Sequence, residues 1–442
     1  MKKFACTLLL YLVSLAGTLG QDNKPGNRHD LIEKLMQSRP EWFGHLLDSA
    51  GYYEIQVIYT QIDRDRKNKP HFTSYTYRLD KERYFYPASS VKLPLAVLAL
   101  EKLNDLRIDS LTKDTPLRIG SGFRTQLPLL SDHTARNGLP TIAHFIRQVL
   151  LVSDNWAYNR LYEFVGQREI RERLAQKGLN NVRILHRFIV GDSRETSRHS
   201  NPFTFYQPLP AGEVPDGTHP EIARGEKVIY RQPAAYNEMD FFSGLPEVTA
   251  GAGYVDNEGR LVMDPFRFTD KNFFPLEMQQ ELLKRILFPE SYPPSRRFRL
   301  HPDDYLFLRK YLSMLPRESG PFPDYSDTCA YWDSYAKFLM YGNRKTARIP
   351  AHIRIFNKMG NAYGYVTDNA YIVDFKNRVE FLLTATIATN TDGIYNDDRY
   401  DYIGTGYPFM EHLGRLIYEF ELTRSRERLP NLEEFRIDYG MR

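Results

Sequence analysis

Hydrophobic alternation marks the two ends of this chain, and helical periodicity marks its middle. Near the N-terminus, Tyr53–Ile62 and Phe72–Leu79 are rich in β-branched and aromatic residues. The basic stretch Arg64-Asp65-Arg66-Lys67-Asn68-Lys69 separates them, so the segment reads as a hairpin with a solvated turn. Near the C-terminus, His352–Asn357, Ala362–Asp374 and Val379–Ala388 read as three further strands, the last two joined at Lys376-Asn377. Together they predict one antiparallel sheet built from both ends of the chain. The amphipathic run Pro408–Phe420 is expected to cover one face. Between these ends the period changes. Val91–Leu100 is an apolar run long enough for a buried helix, and Thr141–Val149, Leu276–Leu287 and Asp303–Leu315 also read as helices. The pattern predicts an α/β (α+β) fold, with an antiparallel sheet flanked by helices and a mainly helical lobe beside it. Residues 202–345 form a large insertion in this reading. It contains an irregular Pro- and Gly-rich stretch, Gln207–Gly217, and a hairpin, Tyr254–Val262.

Composition narrows the class. Met1-Lys2-Lys3, the apolar run Phe4–Ala16 and Gly17-Thr18-Leu19-Gly20 read as a signal peptide cleaved after Gly20, which predicts a secreted or periplasmic protein of residues 21–442. Cys6 would leave with that leader. Cys329 then stays alone, without an intramolecular disulfide, and is expected to be buried rather than a second nucleophile. No later stretch is long and apolar enough to span a membrane. The net charge of +4, from 59 basic and 55 acidic residues, is too balanced to argue for nucleic acid. There is no H-E-x-x-H or cysteine cluster, and the 11 histidines are scattered, so neither a metal nor a cofactor is expected. Asp392–Asp398 lacks the oxygen-ligand spacing of a calcium loop and reads as a polar turn.

The candidate chemistry lies in three short motifs and their order. S-x-x-K occurs at Ser89/Lys92, Ser110/Lys113 and Ser334/Lys337. Only Ser89 opens an apolar helix, where Lys92 falls one turn later on the same face and its amine can take the hydroxyl proton. Free backbone N–H groups at that helix start suit an oxyanion. Ser153-Asp154-Asn155 is the sole S-D-N; by itself such a triplet is ordinary turn or N-cap chemistry. Lys358-Met359-Gly360 ends a strand, and glycine at 360 leaves room for a substrate along its edge.

In this order, and with the flanking Ser153-Asp154-Asn155-Trp156-Ala157-Tyr158-Asn159, the chain resembles the class A β-lactamases and penicillin-binding proteins over roughly residues 50–200 and 350–420. The resemblance implies a β-lactamase/transpeptidase-like fold and a serine hydrolase acting on amide or ester bonds through a Ser89 acyl-enzyme. It makes Lys92 the general base and Ser153 the proton relay to the leaving group. Asn155 would position Lys92 and the substrate amide, Lys358 would bind a substrate carboxylate, and the N–H groups of Ser89 and Asn361 beside Gly360 would form the oxyanion hole. The expected partner is a small-molecule or peptide acyl substrate, a β-lactam or a cell-wall-like compound.

Two positions depart from the family pattern. Met359 stands where a hydroxyl residue is usual. Ile189, in Leu185-His186-Arg187-Phe188-Ile189, stands where the deacylating glutamate is expected, with Glu195 as a substitute if the loop is shifted. An isoleucine cannot activate water, which predicts an acyl-enzyme that forms and turns over slowly. A cell-wall DD-peptidase or esterase, and a non-catalytic penicillin-binding sensor or scaffold, stay open beside the β-lactam-hydrolysing reading.

Overall fold

The computed structural model describes residues 30–123, 126–189, 194–208 and 226–440. The expected signal peptide, residues 1–20, lies outside the described residues, as does most of the Pro- and Gly-rich stretch.

Both chain ends do meet in one sheet. Its strands are β1 (Gln56–Arg64), β2 (Pro70–Tyr77), β3 (Ile353–Ala362), β4 (Tyr365–Asp374) and β5 (Val379–Ala388). They lie in the order β3-β4-β5-β1-β2, with every neighbouring pair antiparallel. The β1–β2 turn is solvated as its charges suggest: the Asp65 carboxylate accepts from the backbone N–H of Lys67 and Lys69 at 2.8 and 2.9 Å.

Each face of the sheet buries a separate apolar core, so β3, β4 and β5 are nearly continuous runs of buried residues. On one face, Ile353, Ile355 and Met359 pack with the N-terminal helices α1 (Leu31–Gln37) and α2 (Pro40–Asp48) and with the C-terminal helix. On the other, Phe356, Tyr371 and Leu382 meet the helical lobe. That lobe contains α3 (Lys92–Leu106), α4 (Ile142–Leu151), α5 (Asn155–Val165) and α6 (Gln167–Gln176). Helix α3 runs through its centre. Residues 92–103 are buried all round, which is why the sequence shows an unbroken apolar run instead of an amphipathic stripe. Pro94 sits in the first turn, where no intrahelical N–H is lost.

Part of the stretch expected to be an insertion is integral to the core. Helices α7 (Leu276–Leu287) and α8 (Pro302–Ser313) occupy the segments whose periodicity predicts them. Gln280 on α7 donates to Ile58 O at 3.3 Å and Thr384 Oγ1 at 3.0 Å, and accepts from Thr60 Oγ1 at 2.7 Å. Asn369 Nδ2 on β4 donates to Gln279 O at 2.7 Å. These buried polar ties fix α7 across three strands, and Leu308 and Leu312 of α8 join the same core. The hairpin expected at 254–262 is present as Gly253–Val255 paired with Leu261–Val262. Its first strand also pairs, in parallel, with Ile394–Tyr395. Helix α9 (Tyr407–Thr423) covers the sheet as its pattern indicates. Cys329 departs from expectation: it is exposed, in a turn where its N–H donates to the Asp327 carboxylate at 2.9 Å. No helix among the described residues is long and apolar enough to cross a membrane.

Candidate active site

Ser89 lies in a 3-10 turn, Ala88–Val91, that leads into α3. Ala88, just before it, has φ +45°, a left-handed conformation that a Cβ-bearing residue adopts only under constraint. Two contacts supply that constraint. Ser90 Oγ donates to Pro87 O at 2.8 Å, and β3 presses on the turn from below. A Cβ built on Gly360 would stand 2.5 Å from Ser89 N, 2.9 Å from Pro87 O and 3.0 Å from Ala88 Cβ. The glycine is therefore required by the close approach of the Ser89 turn, a tighter demand than room for a substrate at the strand edge.

Lys92 begins α3 beneath the serine and is fully buried. Its Nζ donates to Asn155 Oδ1 at 2.6 Å, to Ser153 Oγ at 3.2 Å and to Ser153 O. Burial holds this amine well below its ordinary range, the nearby Lys358 charge adds to the effect, and Asp154 opposes it. Lys358 projects from β3 toward the same point. Its Nζ donates to Ser153 Oγ at 2.9 Å and to Met359 O at 2.8 Å. Burial pulls it down to about 7. Ser153 Oγ thus lies between two lysine amines.

Helix α5 is held at its start by ordinary capping, since the Asp154 carboxylate accepts from Ala157 N at 2.8 Å. Ser153, immediately before, takes φ +62°. The next turns of α5 grip the chain that walls the site. Tyr158 Oη donates to His186 O at 2.9 Å, and Asn159 clamps the Phe188 backbone with bonds of 2.7 Å to its O and 2.8 Å from its N. Glu163 pairs with Arg187 at 2.8 Å, both buried. This clamp sets Phe188 over Lys92, with the amine 5.4 Å from the ring centroid.

A cleft of about 450 Å³ opens above Ser89, bordered by Asn155, Phe188, Ile189 and Asn361. Ser89, Lys92, Ser153, Asn155, Lys358, Gly360 and Asn361, read from three distant stretches of sequence, therefore converge on one place. Lys358 is on its floor and 3% exposed, and it is not part of the cleft lining. Met359 is buried in the opposite core, facing away. Ile189 is 68% exposed at the rim, with φ +61°. Glu195 is directed elsewhere: its carboxylate meets His199 at 3.2 Å and Tyr236 at 3.3 Å. Of the alternative S-x-x-K pairs, Lys113 is tied to Asp303 and Asp304, and Ser334 is buried against Arg344 O at 2.8 Å.

The sequence reading does not reach the other wall, formed by Tyr86, Tyr363, Tyr400, Tyr402, Asn396 and Asp398. Only Tyr86, three residues before Ser89, carried a local signal. The 396–402 segment arrives through the parallel bridge of Ile394–Tyr395 to Gly253–Val255, which no local pattern announces. Among the described residues there is no group of three or more His, Cys, Asp or Glu side chains placed to hold a metal.

Residues 48–206 match the model of the β-lactamase enzyme family. Among curated proteins, none matches the sequence. The fold is similar to that of a β-lactamase from Sphaerobacter thermophilus (11% identity, 87% of this chain and 94% of that one covered, TM-score 0.42). It is also similar to a class A β-lactamase from Mycobacterium abscessus (13%, 86% and 98%, TM-score 0.41) and to the protein PBP-A (14%, 88% and 95%, TM-score 0.43). The matched segment, residues 48–206, holds Ser89, Lys92 and Ser153-Asp154-Asn155, and over that stretch the chain is similar to the β-lactamase enzyme family.

Proposed function

We propose that the chain is an exported serine acyl-transfer enzyme in which Ser89 is acylated by a β-lactam or a related amide or ester. The observation that carries this reading is the pair of buried amines meeting at Ser153 Oγ, directly below the Ser89 turn. Burial lowers the pKa of the Lys92 amine and so favours its neutral, proton-accepting form, and Lys92 is one turn from the serine. In the proposed sequence, Ser89 Oγ attacks the acyl carbonyl and its proton passes to Lys92. The N–H groups of Ser89 and Asn361 receive the developing oxyanion. Ser153 hands a proton to the leaving nitrogen or oxygen, Asn155 holds Lys92 in line, and Lys358 resets Ser153. With a value of about 7, Lys358 exchanges protons near neutrality, and this suits a relay better than a permanent cationic anchor for a carboxylate.

Deacylation is the slow step in this proposal. Ile189 supplies no base, and Glu195 is committed to His199 and Tyr236. The same facts favour a cell-wall peptidase or esterase as the second reading, with transfer to an acceptor releasing the enzyme. Intact-protein mass spectrometry after mixing with a penicillin tests the proposal. A mass increase of one ligand that accumulates in a burst, and that is absent in Ser89→Ala, supports it. Labelling that survives Ser89→Ala, or rapid turnover with no adduct, refutes it.

A further inference from the structure

The walls of the cleft carry a charge preference. Its lining contains five aromatic rings, those of Tyr86, Phe188, Tyr363, Tyr400 and Tyr402, and one carboxylate, Asp398, with no lysine, arginine or histidine. Among the described residues, no ion pair or hydrogen bond engages the Asp398 carboxylate, which is exposed at the rim with φ +59°. The rings are set rigidly. Tyr400 Oη accepts from Asn396 N at 2.8 Å and Tyr402 Oη accepts from Gly364 N at 2.9 Å, while Tyr86 and Tyr363 meet edge to face at 4.8 Å. A wall whose tyrosines are already immobilised loses little entropy when a ligand stacks on it.

Ring faces attract cations, and a carboxylate without a partner adds to that attraction. The wall already engages one ammonium: Lys271 Nζ stands 5.9 Å from the Tyr363 ring centroid and 5.9 Å from that of Phe266, off the lining. On the floor, Lys92 and Lys358 are buried, and their hydrogen bonds go to Ser153, Asn155 and Met359. Both amines are thus engaged by protein atoms and lie off the cleft lining.

We propose that this cleft selects acyl substrates bearing a cationic group, an ammonium or a guanidinium, over those bearing a carboxylate, with Asp398 and the tyrosine faces as the recognising elements. The inference rests on the cleft beside Ser89 being the substrate site, and it adds the substrate's charge class to that reading.

The test separates recognition from chemistry. In the Ser89→Ala protein, which forms no acyl-enzyme, binding of benzyltrimethylammonium and of phenylacetate is measured by calorimetry at low salt. The expected result is that the cation binds at least tenfold more tightly, and that Asp398→Asn removes most of the difference. Equal affinities, tighter binding of phenylacetate, a preference unchanged in Asp398→Asn, or no saturable binding of the cation would each overturn the proposal. Separately, the natural protein is exposed to p-nitrophenyl esters of a cationic, a neutral and an anionic acyl group, and the Ser89 adducts are followed by mass. Adducts forming fastest with the anionic ester would overturn the charge preference. Absence of any adduct would count against the nucleophile assignment and leave the calorimetric result standing on its own.

Discussion

Gly360→Ala adds one methyl group where β3 touches the Ser89 turn, and the consequence can be worked from the contacts. The new Cβ would lie 2.5 Å from Ser89 N and 2.9 Å from Pro87 O, both backbone atoms that cannot rotate aside. Relief requires a separation of roughly 1 Å, and a displacement of that size at a reacting group typically costs about 10²-fold in rate. The strand is the stiffer partner, because all ten residues of β3 are in register with β4. The turn therefore moves, and it already carries the left-handed Ala88. Overpacking of this kind costs about 1–3 kcal/mol of stability. The expected outcome is a folded protein with a lower urea midpoint and an acylation rate reduced by about two orders of magnitude. Circular dichroism, urea unfolding and time-resolved intact mass measure the three quantities. An alanine variant that is acylated at the natural rate with an unchanged midpoint would refute the claim that Gly360 is dictated by the Ser89 turn.

Other substitutions probe the remaining parts. Lys92→Ala should slow acylation by at least about 10²-fold, the usual cost of losing a general base; a rate within threefold of the natural one would remove that role. In the natural protein, acylation should fall as pH rises through about 7 and Lys358 loses the proton with which it resets Ser153, and the limb should be absent in Lys358→Ala. Lys337 is buried behind β3, donating to Leu312 O at 2.6 Å and Asn357 Oδ1 at 2.7 Å, and burial lowers it from 10.5 to about 7. Between those values the unfolded chain binds the extra proton, so this lysine makes stability increase with pH by about 1.4 kcal/mol per unit across the window. Lys337→Met should reduce the slope by about that amount in urea unfolding at pH 7.5–9.5; an unchanged slope would contradict the burial argument. Ile189→Gly should gain up to about 1 kcal/mol by relieving a β-branched residue at positive φ. Ile189→Glu should cost little stability because the side chain is exposed, and faster loss of the adduct would place that position beside the deacylating water.

Much of this architecture was legible because local pattern and global fold agree. The five strands and the helices at 276–287 and 302–313 follow from runs whose period matches their burial, and α3 is announced by an apolar run uninterrupted on every side. The floor of the site was equally legible: Ser89 and Ser153 sit at helix starts, and Lys358 lies on the strand the sequence predicts, although that strand runs on past the expected end to Ala362. The aromatic wall was hidden for a physical reason. Tyr363 occupies the β3–β4 turn, while Tyr400 and Asp398 follow a parallel bridge between residues about 140 positions apart in sequence, a distance over which no hydrophobic period carries information. Gly360 was found, but its cause was not: sequence shows where a glycine stands, and only packing shows which backbone needs its missing Cβ. Cys329 illustrates the opposite limit, a residue type that is usually buried, placed in the open by an aspartate-capped turn.

Helix α5 has a consequence for thermodynamic linkage. Its first residue, Asn155, holds the Lys92 amine, and its next two turns hold the backbone that carries Phe188, the ring standing 5.4 Å from that same amine. Floor and wall are thus two ends of one rigid lever. A ligand pressing on Phe188 changes the dielectric around Lys92 and so changes its proton affinity. Reciprocity then requires the proton to change the ligand's affinity by the same factor. Binding at this wall will release or take up protons even when the ligand has no titratable group, and calorimetry in buffers of different ionisation enthalpy would count them.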